Sequence, residues 1–260
     1  MEELKSQLRV RKDNGKAYVT LNRPPANSYF LEYLLYIEET LLSLEKDKTI
    51  SVVVINSASE KFFCAGADIK IFSNNSSDQN IEMVKAARKV TKTITSSDKI
   101  YIACIQGHIL GGGLELAMAC DIRLAKEGNY LVGLPEVKLG LMPGNGGTPR
   151  LIDLIGASKA MELLVTGDSV TPKRAYELGL FNQLYTHENF EEKVSVFVNN
   201  LAKGPKKAMK AIKNYVIQHK GMTAEQALQF ETESVNKLYG TYDAIEGFKA
   251  FIEKRTPEFE

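Results

Sequence analysis

Residues Gly107–Ala125 read GHILGGGLELAMACDIRLA, and the reading of this stretch decides the fold. A short apolar run meets three consecutive glycines. An apolar segment of helical length with one charge follows, then a second short apolar run. That order predicts a strand, a glycine turn, a buried helix and another strand, Ile122–Ala125. Outward from it, LRVRK and KAYVTLN alternate around Asp13-Asn14-Gly15, the signal of a β-hairpin. Leu31–Leu44 and Ile81–Thr95 carry apolar residues at helical spacing, while Ser51–Asn56 and Ile100–Ile105 are apolar strands. Polar Asn74–Asn80 reads as a mobile surface loop, and Gly133–Pro149 as a Gly/Pro-rich loop. Thr171-Pro172 suits a helix start, and Thr223 with Gln226 spells a capping box. Strands alternating with helices as far as Ala125 argue a layered α/β core. Residues 1–200 are expected to form it, with 201–260 as a helical region packed on it.

Composition narrows the function classes. Of 260 residues, 44% are hydrophobic and 25% charged, the balance of an ordinary globular chain. Thirty-three Lys and Arg against 32 Asp and Glu leave +1, no global basic field for nucleic acid or an anionic membrane. The apolar runs are too short to span a bilayer, and MEELKSQLRVRKDNG lacks the apolar core of a signal peptide. Cys64, Cys104 and Cys120 are an odd set without CxxC, expected to be reduced, partly buried thiols of a cytoplasmic protein. His108, His187 and His219 have no metal-ligand spacing, which argues against zinc and against Ser-His-Asp chemistry. Lys206, Lys210 and Lys213 share one helix face, read as solvated.

Glu115 is the chemical anomaly, because it is the only charge in its apolar helix. A buried, unpaired carboxylate costs several kcal/mol, so such a group is paired, pKa-shifted or functional. Backbone donors or Arg123 could satisfy it in a purely structural role. Gly111–Gly113 precede the same helix, so its first free N–H groups and its dipole face whatever lies in front of it. Glu136, in Leu134-Pro135-Glu136-Val137, adds a second acid with apolar flanks. Two carboxylates beside an anion-stabilising turn suit proton transfer next to a carbonyl. Neither a phosphate loop nor GxGxxG is present.

FFCAGADIK (62–70), GHILGGGLELAMACDIRLA and LPEVKLGLMPGNGGTPRL (134–151), in this order and spacing, resemble the crotonase superfamily, above all enoyl-CoA hydratases. The likeness runs from VTLNRP (19–24) to EGFKAFIEKRTPEF (246–259). The resemblance implies an α/β fold of spiralling β-β-α units with C-terminal helices, assembled as a homotrimer or a dimer of trimers. It implies hydration of 2-trans-enoyl-CoA, with coenzyme A as part of the substrate and no separate cofactor, no metal and no membrane partner. Residue by residue, Ala67 and Gly112 fall on the oxyanion-hole N–H groups. Glu115 and Glu136 fall on the two catalytic acids, and Gly144 on the glycine after Met-Pro. Ala65, Ala67, Asp68, Ile69 and Lys70 fall on the segment lining coenzyme A, Asp68 as a helix-start residue rather than an acid catalyst. Both acids are present, which favours hydratase over isomerase. The alternatives are an isomerase or dehydratase for a specialised acyl thioester, on CoA or a carrier protein, and an RNA-binding relative. Tyr29, Phe30, Leu134 and Pro149 depart from the common pattern, and the departures bear on acyl specificity.

Overall fold

Alternating apolar residues and a turn of small, permissive ones open the domain. After α1 (Glu2–Gln7), β1 (Leu8–Asp13) and β2 (Lys16–Leu21) pair antiparallel, and Asn14 and Gly15 close the hairpin at φ 39° and 81°. This computed structural model describes residues 2–260. α2 (Leu31–Lys46) buries Tyr33, Leu34, Ile37, Leu41 and Leu44, one stripe at helical spacing. β3 (Val52–Ser57), β4 (Phe62–Cys64), α3 (Ile69–Asn74) and α4 (Ser77–Ser96) follow.

The expected loop over Asn74–Asn80 is corrected here, because only Asn75 and Ser76 lie between the two helices. The Gln79 N–H donates to the Ser76 hydroxyl, and the Ser76 N–H donates back to the Gln79 side chain. This capping box starts α4, so the polarity of the segment reflects capping and a wet face rather than irregular chain.

Next come β5 (Ile100–Ile105), β6 (His108–Leu110), α5 (Gly112–Ala119), β7 (Ile122–Lys126), β8 (Val132–Gly133) and a 3-10 turn at Pro135–Leu139. Then follow α6 (Gly147–Ile155), α7 (Ala157–Thr166), α8 (Pro172–Glu177), β9 (Gln183–Tyr185), α9 (Phe190–Ala202), α10 (Lys206–Gln218), α11 (Ala224–Asn236) and α12 (Tyr242–Glu253). The larger sheet runs β1-β2-β3-β5-β7-β9, parallel beyond the hairpin, and a smaller parallel sheet runs β4-β6-β8. After the hairpin, the pairs β3/β4, β5/β6 and β7/β8 each give their first strand to the large sheet and their second to the small one. That repeat is the spiral.

The central strands are buried on both faces, as continuous Val/Ile runs require. Val53, Ile55, Ala103 and Ile105 join the main core with α2, α4 and α5. Val52, Val54, Ile102, Cys104 and Leu124 meet Phe190, Val194 and Val198 of α9 behind the sheet. All three cysteines are free and buried. Among the described residues, no helix is long and apolar enough to cross a membrane.

The solvated lysine face is corrected as well. Lys210 pairs with Asp98 on the surface, whereas Lys213 is buried. Its ammonium donates to the Ile94 and Lys99 carbonyls at 3.0 and 2.7 Å and to Asp121 at 2.9 Å. α10 lies across the end of α4 and the start of β5, where carbonyls need a donor, and the third lysine supplies it.

Candidate active site

Three chain segments converge beside the start of α5. Buried Asn27 accepts from the Arg23 N–H and donates to Ser57 Oγ and the Phe63 carbonyl, tying the loop before α2 to β4. Two residues on, Tyr29 bridges Ala67 in parallel. The Tyr29 N–H donates to the Gly66 carbonyl, and the Asp68 N–H donates to the Tyr29 carbonyl. These bonds use the groups on either side of Ala67, so Ala67 turns its own N–H away from Tyr29. Across from it, Gly111 donates to the Gly133 carbonyl and fixes the entry to α5, leaving Gly112 as a first-turn amide without an intrahelical acceptor. Neither Ala67 N–H nor Gly112 N–H has a backbone acceptor among the described residues.

The glycines make this approach possible. A Cβ on Gly113 would lie 2.1 Å from the Cys64 carbonyl oxygen, and one on Gly112 would lie 1.6 Å from the Tyr29 hydroxyl. Only residues without side chains let β4, Tyr29 and α5 meet. In front of them opens a cavity of about 210 Å³, with Tyr29, Ala65, Ala67, Gly112, Glu115 and Glu136 in its wall. Met83, Val84 and Ala87 of α4 and Leu139 and Met142 make the remainder apolar.

The two acids enter this cavity in different states. Glu115 is 2% exposed, and its Oε1 accepts N–H bonds from Asn145 at 2.7 Å and Gly147 at 2.8 Å. Burial pushes its carboxyl above the usual range, while those two donors and the Arg150 and Arg88 charges pull it back. Backbone donors therefore satisfy Glu115, whereas Arg123 bonds the Leu180 and Cys120 carbonyls instead. Glu136, from the 3-10 turn, has a buried Oε2 with no partner among the described residues. Burial, and to a lesser degree the Glu115 charge, raises it to about 7. Two backbone donors thus hold one oxygen of Glu115, while Glu136 keeps a buried oxygen without a partner among the described residues. Tyr29 stays a neutral phenol, its pKa raised by burial first and then by Glu115, Cys64 and Glu136.

Of the remaining sequence candidates, Ala65, Ile69 and Gly144 also line the cavity. Asp68 caps α3 by accepting from the Lys70 N–H and pairs with Arg23 at 2.9 Å; neither it nor Lys70 is in the cavity wall. Sequence reasoning missed Asn145 and Thr91. Thr91 is a polar residue on the buried face of α4, among Met83, Ala86, Ala87, Val90 and Ile94, and that misplacement was the available signal.

Comparison with known proteins gives the family and the fold. The family described as enoyl-CoA hydratase/isomerase matches residues 11–260. A probable enoyl-CoA hydratase of Bacillus subtilis (strain 168) is 34% identical over 251 residues, 95% of this chain and 96% of that protein. The crotonyl-CoA hydratase of Syntrophomonas wolfei is 33% identical, covering 96% of each. The crystal structure of an enoyl-CoA hydratase from Geobacillus kaustophilus HTA426 superposes with a TM-score of 0.94 at 36% identity, covering 98% of this chain and 97% of that one. The chain has the crotonase fold and belongs to the enoyl-CoA hydratase/isomerase family.

Proposed function

We propose that the chain hydrates 2-trans-enoyl-CoA reversibly to 3-hydroxyacyl-CoA. The observation that carries this reading is the contrast between two acids on one cavity wall, Glu115 held by two N–H donors on Oε1 and Glu136 with its buried Oε2 unpartnered among the described residues. The thioester oxygen accepts from the Ala67 and Gly112 N–H groups, which stabilise enolate-like charge as it develops. Glu115, the better-stabilised carboxylate, takes a proton from water as the oxygen bonds to C3. Glu136, the carboxyl raised to about 7, gives its proton to C2. One water is consumed, its hydroxyl going to C3 and its proton to Glu115 while C2 takes the proton of Glu136. Proton exchange with solvent returns both acids to their starting states, so no redox partner is needed. Coenzyme A belongs to the substrate. The relatives named as hydratases support the same reaction class.

A panel of enoyl-CoA thioesters, followed by loss of their conjugated absorbance, tests the proposal. The native chain is expected to hydrate at least one, and Glu115→Gln and Glu136→Gln each to lower kcat by roughly 10²–10⁴-fold. Native protein that exchanges the C2 proton without hydrating would assign an isomerase instead.

A further inference from the structure

The Glu115 clamp is itself clamped. Asn145, whose backbone N–H donates to Glu115, is buried and takes a 2.8 Å hydrogen bond on its side-chain oxygen from the Thr91 hydroxyl of α4. Its carbonyl accepts from Arg150 of α6 at 2.7 Å. One residue earlier, the Gly144 carbonyl accepts from Arg88 Nε of α4 at 2.6 Å. Three side chains from two helices thus fix one short turn, and that turn supplies both N–H donors to Oε1 of Glu115. Left free, a glycine-rich turn such as Gly144-Asn145-Gly146-Gly147 has many conformations, and few of them aim two N–H groups at one oxygen.

We infer that Thr91, Arg88 and Arg150 are positioning residues, which hold the 144–147 turn so that Glu115 presents its carboxylate, ionised and in one orientation, to the cavity. Thr91 acts by geometry alone. The arginines act by geometry and by charge, opposing the burial of the carboxylate. The other groups facing Glu115 are Glu136 from the 3-10 turn and Tyr29 from the loop before α2. The inference rests on the hydratase reading, in which Glu115 is the base.

Thr91→Val keeps the shape of the side chain and removes the donor. It should lower kcat roughly 10- to 100-fold with KM nearly unchanged, and Thr91→Ser should restore most of the loss. Arg88→Met, at an exposed position, should move the acidic limb of the pH–rate profile upward, because the base then loses a charge that favours its ionised form. Amide hydrogen exchange over residues 143–147 should quicken in Thr91→Val. That readout is independent of catalysis. If native protein lacks hydratase activity, the functional proposal fails while exchange still reports on the latch. If Thr91→Val keeps native kcat, or its turn exchanges at the native rate, the latch is overturned.

Discussion

At the scale of single residues, Glu136 carries the sharpest consequence. Its carboxyl titrates near 7 in the fold against an ordinary 4.5, so the folded chain binds the proton more tightly than the unfolded one. This contribution to stability is complete below about pH 4.5 and is lost as pH rises through 7. Glu136→Gln should therefore flatten that decline and gain about 1–2 kcal/mol at pH 8, a figure discounted for solvent screening, while hydration is lost. Urea titrations of both proteins at pH 5 and pH 8 measure it; equal pH dependence in the two would refute the assignment. Gly112 makes a second, steric prediction. In Gly112→Ala the new methyl meets the Tyr29 hydroxyl and ring, at 1.6 and 2.6 Å before relaxation. Overpacking of this kind costs about 1–3 kcal/mol, and Tyr29→Leu in the same chain should recover part of it, as a thermal-melt double-mutant cycle would register.

At the scale of elements, legibility followed the strength of the local pattern. The glycine turn into an apolar helix, the Asn-Gly hairpin and the Val-rich strand were all readable, because each rests on a period or a turn that few other structures satisfy. Glu115 stood out as one charge among apolar neighbours, but nothing local said that Asn145 and Gly147 would solvate it from thirty residues away. Lys213 misled for the same reason. Its i, i+4, i+7 companions looked like a wet stripe, and only tertiary docking against Asp121 and two carbonyls reveals a buried cation. Lys213→Ala leaves Asp121 without its cation and two carbonyls without a donor, so it should cost about 3–5 kcal/mol in a urea titration. Limited proteolysis should then cut first in α10, where the anchor was lost.

At the scale of the whole molecule, α12 leaves Phe248, Phe251 and Ile252 facing outward at 63, 86 and 79% exposure. Exposed apolar side chains at i, i+3 and i+4 on one helix suit an association face. A homotrimer or a dimer of trimers is expected, with these residues covered, and light scattering at micromolar concentration should return a multiple of three times 28.9 kDa. A mass of one chain would reject it. Placing a charge on this face by Phe251→Glu should shift the distribution toward single chains.

The layer of α9 behind the large sheet has a different kind of consequence. Phe190, Val194 and Val198 pack on Val52, Val54, Ile102, Cys104 and Leu124, and none of these residues touches the cavity. Tightening that rear layer can raise the tolerance of the chain to mutation without altering any group that meets substrate. Laboratory evolution of the acyl pocket would then start best from a variant improved at the back, where substitutions that remodel the cavity wall find a scaffold able to absorb them.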